Sequence, residues 1–343
     1  MKKYHISLFI GRFEPFHQGH YHVVKKALEV SEKLVFLVGS ANRARSIRNP
    51  FSFDERKKMI QADLKGQGVS LDQIIFEPIN DFYYNEEAWI DAVKSAVLKN
   101  TSSNDRIVLV GHNKDSSSYY LDLFPNWAYL EVDNYNGFNA TEFREDYFGD
   151  GILRKGYLVE GLTGYLIGST YEFLMRFKET EHYQHLKDEY RYVTDYKNAW
   201  KNTPYPVIFT TCDAIVICQN HLLVIERGGQ PGHGLLALPG GFLEANERIK
   251  NGILRELKEE TNLLISKAQI AEIRTFDHPE RSLLGRVITH GGIVYLKDKT
   301  LPKVYAEDDA KKAYWLELSK VKAMPNCFFD DHFQIIQSFL NDF

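Results

Sequence analysis

Cysteine is scarce in this chain: three residues in 343, at Cys212, Cys218 and Cys327. Their spacing fits no metal or redox motif, which excludes a zinc-stapled or disulfide-framed fold and points to a reducing compartment. No apolar run approaches the ~20 residues needed to cross a bilayer, so no membrane partner is expected. No excess of one charge is present either. The formal net charge is −4, which removes the global electrostatic case for a nucleic-acid partner. Internal repeats are missing, and no cleavage pattern follows the opening Met-Lys-Lys, so a cytoplasmic location is expected. What remains is an ordinary globular composition, at a length that predicts two domains.

The most specific stretch is 238–263, Leu-Pro-Gly-Gly-Phe-Leu-Glu-Ala-Asn-Glu, seven residues, then Arg-Glu-Leu-Lys-Glu-Glu-Thr-Asn-Leu. Gly240 and Gly241 form a turn leading into a helix predicted to start near Asn246, a good N-cap. On that helix Glu256, Glu259 and Glu260 fall at i, i+3 and i+4, so their carboxylates share one face. Like charges so placed cost roughly 0.2–0.5 kcal/mol per pair, and Arg255 and Lys258 offset only part of that. A hard divalent cation with oxygen ligands, Mg²⁺ or Mn²⁺, would convert the repulsion into a site. A solvated acidic helix face is the competing reading of the glutamates alone. The complete pattern, from Gly241 through Glu247 and Arg255-Glu256 to Glu259-Glu260, resembles the Nudix box. Asn262 stands where that family has Gly. The position ends a helix in a left-handed conformation that Asn tolerates. The resemblance implies an α/β/α sandwich and a metal site of Gly241, Glu256, Glu259 and Glu260, with Arg255 orienting the glutamates. The general base is one of these glutamates or one from a downstream loop, such as Glu307.

Near the start, the apolar run 6–10 reads as a buried parallel strand. It leads through Gly11-Arg12-Phe13-Glu14-Pro15-Phe16-His17-Gln18-Gly19-His20 into a helical pattern. A strand, a loop and a helix N-terminus make a ready anion site. Two histidines three apart there could both donate to phosphate oxygens, the alternative being polar residues of a surface loop. The whole string resembles the signature of nicotinamide mononucleotide (NMN) adenylyltransferases, implying that Gly11, Arg12, Phe13, His17 and His20 hold ATP. After a second strand come Gly39-Ser40-Ala41-Asn42, a loop with Arg43, Arg45 and Arg48, and a capping box at Ser52–Glu55. Arg56 in the first turn opposes the helix dipole, which favours a role toward a ligand. No aromatic interleaving supports a nucleic-acid patch among these arginines. This stretch resembles the archaeal type of the family, placing Asn42 and Arg56 at NMN. Trp89, otherwise a core residue, is implied to stack on the nicotinamide ring. Asn139-Ala140-Thr141-Glu142-Phe143-Arg144 resembles the family's Ser-x-Thr-x-x-Arg motif, with Asn139 in place of Ser; Thr141 and Arg144 are implied to hold ATP phosphates.

Five predicted strands alternating with helices give a Rossmann-like nucleotidyltransferase parallel sheet with phosphate ligands at the strands' carboxyl ends. A domain 1–181, a charged and aromatic linker 182–206 ending in Pro204-Tyr205-Pro206, and a Nudix domain 207–343 are the expected organisation. A hairpin is predicted around Gln219-Asn220. In the stretch 276–281, Pro279 lies at the spacing of ADP-ribose pyrophosphatases, and Arg281 or Arg286 is expected at a substrate phosphate. The order of the two resemblances is that of bifunctional NMN adenylyltransferase/Nudix hydrolases. That implies NAD synthesis from ATP and NMN, and Mg²⁺-dependent cleavage of ADP-ribose to AMP and ribose 5-phosphate. The alternatives are another acceptor at the first site, another nucleoside diphosphate derivative at the second, or a Nudix-like domain that only senses a nucleotide. Oligomeric state is not legible in the sequence.

Overall fold

The computed structural model describes residues 2–111, 123–133, 140–149, 166, 168–306 and 310–340. The chain forms two compact units, one of residues 1–81 and 86–187, the other of 82–85 and 188–343.

The first unit begins with β1 (Tyr4–Gly11), α1 (Gln18–Val30), β2 (Ser31–Val38), α2 (Phe53–Gly66), β3 (Ile74–Pro78), α3 (Glu86–Leu98) and β4 (Ile107–Gly111). β5 (Ala128–Glu131), α4 (Ala140–Phe148) and α5 (Gly168–Phe177) follow. The sheet order is β3-β2-β1-β4-β5, and every pairing is parallel. Both faces are apolar, as a sheet covered on two sides requires. Leu34, Phe36 and Val38 pack on one side with Phe9, Val24 and Ile60. Val35 and Leu37 point to the other, with Leu8, Val93 and Val97. Each fully buried side chain of this size contributes about 1.5–3 kcal/mol. The strand order reverses beside β1, and open sheets of this kind take ligands outside the strands' carboxyl ends at such a point. The predicted capping box is present: Ser52 Oγ accepts from Glu55 N–H, and Glu55 accepts from Ser52 N–H at 2.7 Å.

α6 (Glu181–Ala199) spans much of the stretch expected as a linker. The second unit then builds β6 (Ile208–Cys218), β7 (His221–Arg227), β8 (Leu236–Ala237), β9 (Gly240–Phe242), α7 (Ile249–Thr261), β10 (Ile270–Phe276), β11 (Arg286–Tyr295), β12 (Ala310–Glu317), α8 (Leu318–Ala323) and α9 (His332–Phe339). Its sheet runs β10-β11-β6-β7-β12, with β8 on β7 and β9 on β6. β6 and β11 are parallel along ten residues; the other pairings are antiparallel. Residues of β6 alternate between two cores. Cys212, Ala214 and Val216 meet Ile253 and Leu257 of α7, whereas Ile215 and Ile217 meet Ile335, Ile336 and Phe339 of α9. Gln219 and Asn220 both have positive φ, 46° and 61°, the geometry of the predicted tight hairpin turn. No helix among the described residues is long and apolar enough to cross a membrane.

Candidate functional sites

In the first unit, β1 ends at Gly11 and the chain turns through Phe13, whose φ is 56°. The Phe13 ring is buried against Phe9, Phe36 and His20. Its side chain therefore anchors the loop in the core, and any nucleotide contact there falls to its backbone. An added Cβ on Gly11 would lie 2.9 Å from that ring, so the loop's tight fold requires glycine. His17 caps α1, its Nδ1 accepting from His20 N–H at 3.4 Å. With Nδ1 an acceptor, the neutral ring carries its proton on Nε2. The two imidazoles stack at 3.6 Å between centroids, so the structure brings them together at the helix N-terminus, where anions bind.

Arginines surround this loop. Arg144 donates to the Glu14 carbonyl at 2.9 Å and to Thr141 Oγ1 at 3.2 Å, which joins the α4 motif to the His-x-Gly-His loop. Burial, with the neighbouring charge of Arg12, pulls Arg144 down to about 10. Glu14 lies beneath and is fully buried. Burial pushes its carboxyl up to about 7, against the pull of Arg56 and Arg144.

Arg56, expected at NMN, is anchored by backbone carbonyls. It is 1% exposed, and it donates to the carbonyls of Arg12 and Gly39 at 2.7 Å each and of Ser40 at 3.3 Å. Its charge is paired with Glu14 at 3.3 Å. Arg56 thus clamps the loops after β1 and β2. Arg45 is held by both Glu55 oxygens at 2.7 and 2.8 Å. Asn42 is exposed and donates to Asn80 Oδ1 at 2.8 Å. Trp89 sits on α3, partly buried against the core, 5.9 Å from Phe124. Asn139, the substituted first position of the α4 motif, lies outside the described residues, as does His112 after β4.

In the second unit, α7 starts at Ile249 with Arg248 as N-cap, two residues after the predicted N-cap Asn246. The delay comes from a turn at 244–247, where Glu247 accepts from Arg255 Nε at 3.1 Å and NH2 at 3.0 Å. Arg255 also donates to Glu256 at 2.7 Å, Glu259 at 2.8 Å and the Phe242 carbonyl at 3.0 Å. The hydrogen bonds to Glu247 lead those that hold its guanidinium above the usual arginine range. Three glutamates and the β9 backbone are thereby fixed by one side chain. Asn262 closes the helix at φ 56°, left-handed as its position predicts.

Glu260 faces away from Arg255. It is 6% exposed and accepts from Gly240 N–H at 2.8 Å. Burial pushes it up to about 8, with the charges of Glu256 and Asp213 adding to the rise. Gly241 is pressed on Glu256: an added Cβ would lie 2.6 Å from Oε1. Among the described residues no three His, Cys, Asp or Glu side chains converge as a complete metal shell; the carboxylates are shared between Arg255 and Gly240. The donors themselves, carboxylate oxygens beside a glycine backbone, with mutual repulsion left over, have the chemistry of a hard divalent cation site.

Arg281, expected at a substrate phosphate, is paired with a carboxylate. It is 4% exposed, and its Nε and NH2 reach the two oxygens of buried Asp331 at 3.0 and 2.8 Å. A buried guanidinium left without its partner is costly, and this pair ties the loop after β10 to Asp331. Pro279 is exposed two residues earlier, and Arg286 donates to the Asp277 carbonyl. Glu307 lies outside the described residues. Sequence reasoning missed Asp213, which accepts from Thr289 Oγ1 at 2.5 Å against Gly240, and Tyr84, which donates to Asp331. A lone polar residue at an inward position of β6 was the available signal for the first; nothing local marks the second.

Family models match both units: a cytidylyltransferase-like family over residues 8–145 and the NUDIX domain over 209–339. A nicotinamide/nicotinic acid mononucleotide adenylyltransferase of Acinetobacter baylyi is 37% identical over 56% of this chain and 96% of its own. An ADP-ribose pyrophosphatase of Methanocaldococcus jannaschii is 34% identical over 37% of this chain and 70% of its own. The crystal structure of a bifunctional NMN adenylyltransferase/ADP-ribose pyrophosphatase from Francisella tularensis, complexed with AMP and a manganese ion, shares 43% identity at a TM-score of 0.91, covering 99% of both chains. With its nucleotidyltransferase loop in one unit and its Nudix helix in the other, the chain belongs to the family of bifunctional NMN adenylyltransferase/ADP-ribose pyrophosphatases.

Proposed function

We propose that the chain makes NAD and pyrophosphate from ATP and NMN in its first unit, and hydrolyses ADP-ribose to AMP and ribose 5-phosphate in its second, both in the cytoplasm. The observation that supports this best is that each unit gathers its motif at a loop-to-helix junction. His17 and His20 stack at the start of α1 beside Arg144, and Gly241 lies on Glu256 beside Arg255.

In the first unit the NMN phosphate is already ionised at neutral pH, so its attack on the α-phosphorus of ATP needs no general base. His17 and His20 donate to the phosphate under attack, Arg12 and Arg144 balance the charge that develops, and Gly11 and the Phe13 backbone let the phosphates approach. Thr141 adds a hydroxyl donor, while Trp89 and Asn42 serve the nicotinamide end. In the second unit Glu256, Glu259, Glu260 and the Gly241 backbone would hold Mg²⁺, for which Mn²⁺ can substitute. Such a cation supplies charge neutralisation of the diphosphate and an activated water. Arg255 keeps the glutamates in register, and Pro279 shapes the ADP-ribose side of the cleft.

The test is direct. Purified protein is assayed with NMN, ATP and Mg²⁺ for NAD, and separately with ADP-ribose and Mg²⁺ for AMP. NAD without AMP would leave the second unit as a nucleotide sensor, and AMP without NAD would reassign the acceptor of the first.

A further inference from the structure

The second unit includes a four-residue turn from far earlier in the sequence. Residues 82–85 cluster with it, and the turn is closed by Asn85 N–H donating to the Phe82 carbonyl at 3.1 Å. Both tyrosines of the turn are engaged. The Tyr83 ring lies parallel to His278, 3.9 Å between centroids and 3° apart. Tyr84 meets Phe276 edge-on at 4.9 Å and donates its hydroxyl to Asp331. Burial and the charge of Asp331 hold the phenol above its ordinary range, so Tyr84 is the donor and Asp331 the acceptor.

Asp331 links two parts of the hydrolytic site. It is fully buried and holds Arg281 through both oxygens, which fixes the loop between β10 and β11. The next residue, His332, is also buried, and its Nδ1 accepts from Leu238 N–H at 2.9 Å. Leu238 is followed by Pro239 and then Gly240, whose N–H meets Glu260 at 2.8 Å. One hydroxyl therefore bears on the substrate loop through Arg281 and on the glutamate site through His332 and the 238–241 segment that enters β9. Removing it leaves Asp331 still paired with Arg281, so the fold has no buried unpaired charge to expel. What is lost is orientation, and a positioning error of a fraction of an ångström is costly in catalysis.

We infer that Tyr84 is a positioning residue of the hydrolase, setting through Asp331 both the His278–Arg281 loop and the strand that orients Glu260. This rests on the reading of the second unit as an ADP-ribose pyrophosphatase. The test uses the full chain and Tyr84→Phe, which keeps the ring and removes only the hydroxyl. Tyr84→Phe should lower kcat/KM for ADP-ribose hydrolysis about tenfold and weaken Mn²⁺ binding, read by electron paramagnetic resonance without substrate, at least threefold. NAD synthesis should stay within twofold. In an Asp331→Asn background, Tyr84→Phe should cost less than a further twofold, because the two act in line. Tyr83→Leu is the second variant. It removes the ring on His278 and leaves the hydroxyl, so it should raise KM and spare Mn²⁺ binding. Hydrolysis and Mn²⁺ binding within twofold of the wild type in Tyr84→Phe, or a full additive loss in the Asp331→Asn background, overturns the inference. If the wild-type chain leaves ADP-ribose intact, the functional reading fails on its own, and the Mn²⁺ comparison still decides the role of Tyr84.

Discussion

Arg144 donates to the carbonyl oxygen of Glu14 at 2.9 Å across 130 positions of sequence. This contact joins the two motifs assigned to ATP, and it depends on the guanidinium fork, since a second nitrogen reaches Thr141 at 3.2 Å. Arg144→Lys keeps the charge and loses the fork. A hydrogen bond made by a charged group is worth about 1.5–3 kcal/mol, so kcat/KM for NAD synthesis should fall by roughly one to two orders of magnitude. Hydrolysis of ADP-ribose should be unchanged. A loss of both activities would mean that Arg144 supports folding alone.

Glu14 makes a pH prediction. Its carboxyl rises from 4.5 to about 7 in the folded chain, so the folded state binds the proton more tightly than the unfolded one. A raised value contributes stability that is full below the unfolded pKa and is lost as pH climbs through the folded one. The window is therefore about pH 4.5–7, and the loss is at most about 3 kcal/mol. Glu14→Gln keeps an acceptor for Phe51 N–H, which Glu14 Oε2 meets at 3.1 Å. At pH 5 the variant should melt close to wild type. At pH 8 it should melt higher. Parallel melting curves across that window would show that the carboxyl stays ionised against Arg56.

The regular elements were legible because their signals are local. The continuous apolar run of β2, the Ser52 capping box and the left-handed Asn262 each depend on neighbours within a few positions. The glutamates of α7 were legible for the same reason. Arg56 and Arg281 were legible as arginines but not as buried ones, because their partners Arg12, Gly39 and Asp331 lie 44, 17 and 50 positions away. A charge in the first turn of a helix reads as exposed unless the carbonyls that absorb it are known. Tyr84 is the extreme case: its partner is 247 positions distant, and no periodicity announces such a contact.

That contact bears on whether the halves separate at Pro204–Pro206. A fragment starting at Val207 lacks Tyr84 and the part of α6 whose Glu189 accepts from Gly232 N–H at 3.2 Å. It should be recovered with a melting temperature well below that of the second unit in the full chain, or not at all as soluble protein. The fragment ending at Lys201 keeps every described residue of the first unit and should make NAD measurably. Sedimentation after expression and an NAD assay on the soluble fractions would decide. A stable, fully hydrolytic fragment from Val207 would show that the early turn is dispensable.

The two chemistries should also part cleanly under single substitutions. Glu260 accepts from Gly240 N–H and is pushed up to about 8 by burial and by Glu256 and Asp213. Glu260→Gln preserves that acceptor and removes a repelled charge, so the metal-free chain should melt at or slightly above the wild-type temperature near pH 8. Losing a cation-binding carboxylate should nonetheless cut ADP-ribose hydrolysis by several orders of magnitude at saturating Mg²⁺. NAD synthesis should hold. His17→Ala should show the reverse, with hydrolysis intact and adenylyl transfer lost, because His17 is both the N-cap of α1 and the stacked partner of His20. Since capping alone is worth about 1 kcal/mol, His17→Asn, which restores an N-cap without an imidazole, separates the two roles. Should His17→Asn recover NAD synthesis, the histidine serves the helix and not the phosphate. Should Glu260→Gln keep most of its hydrolysis, the acidic face of α7 is a solvated surface, and the metal belongs elsewhere.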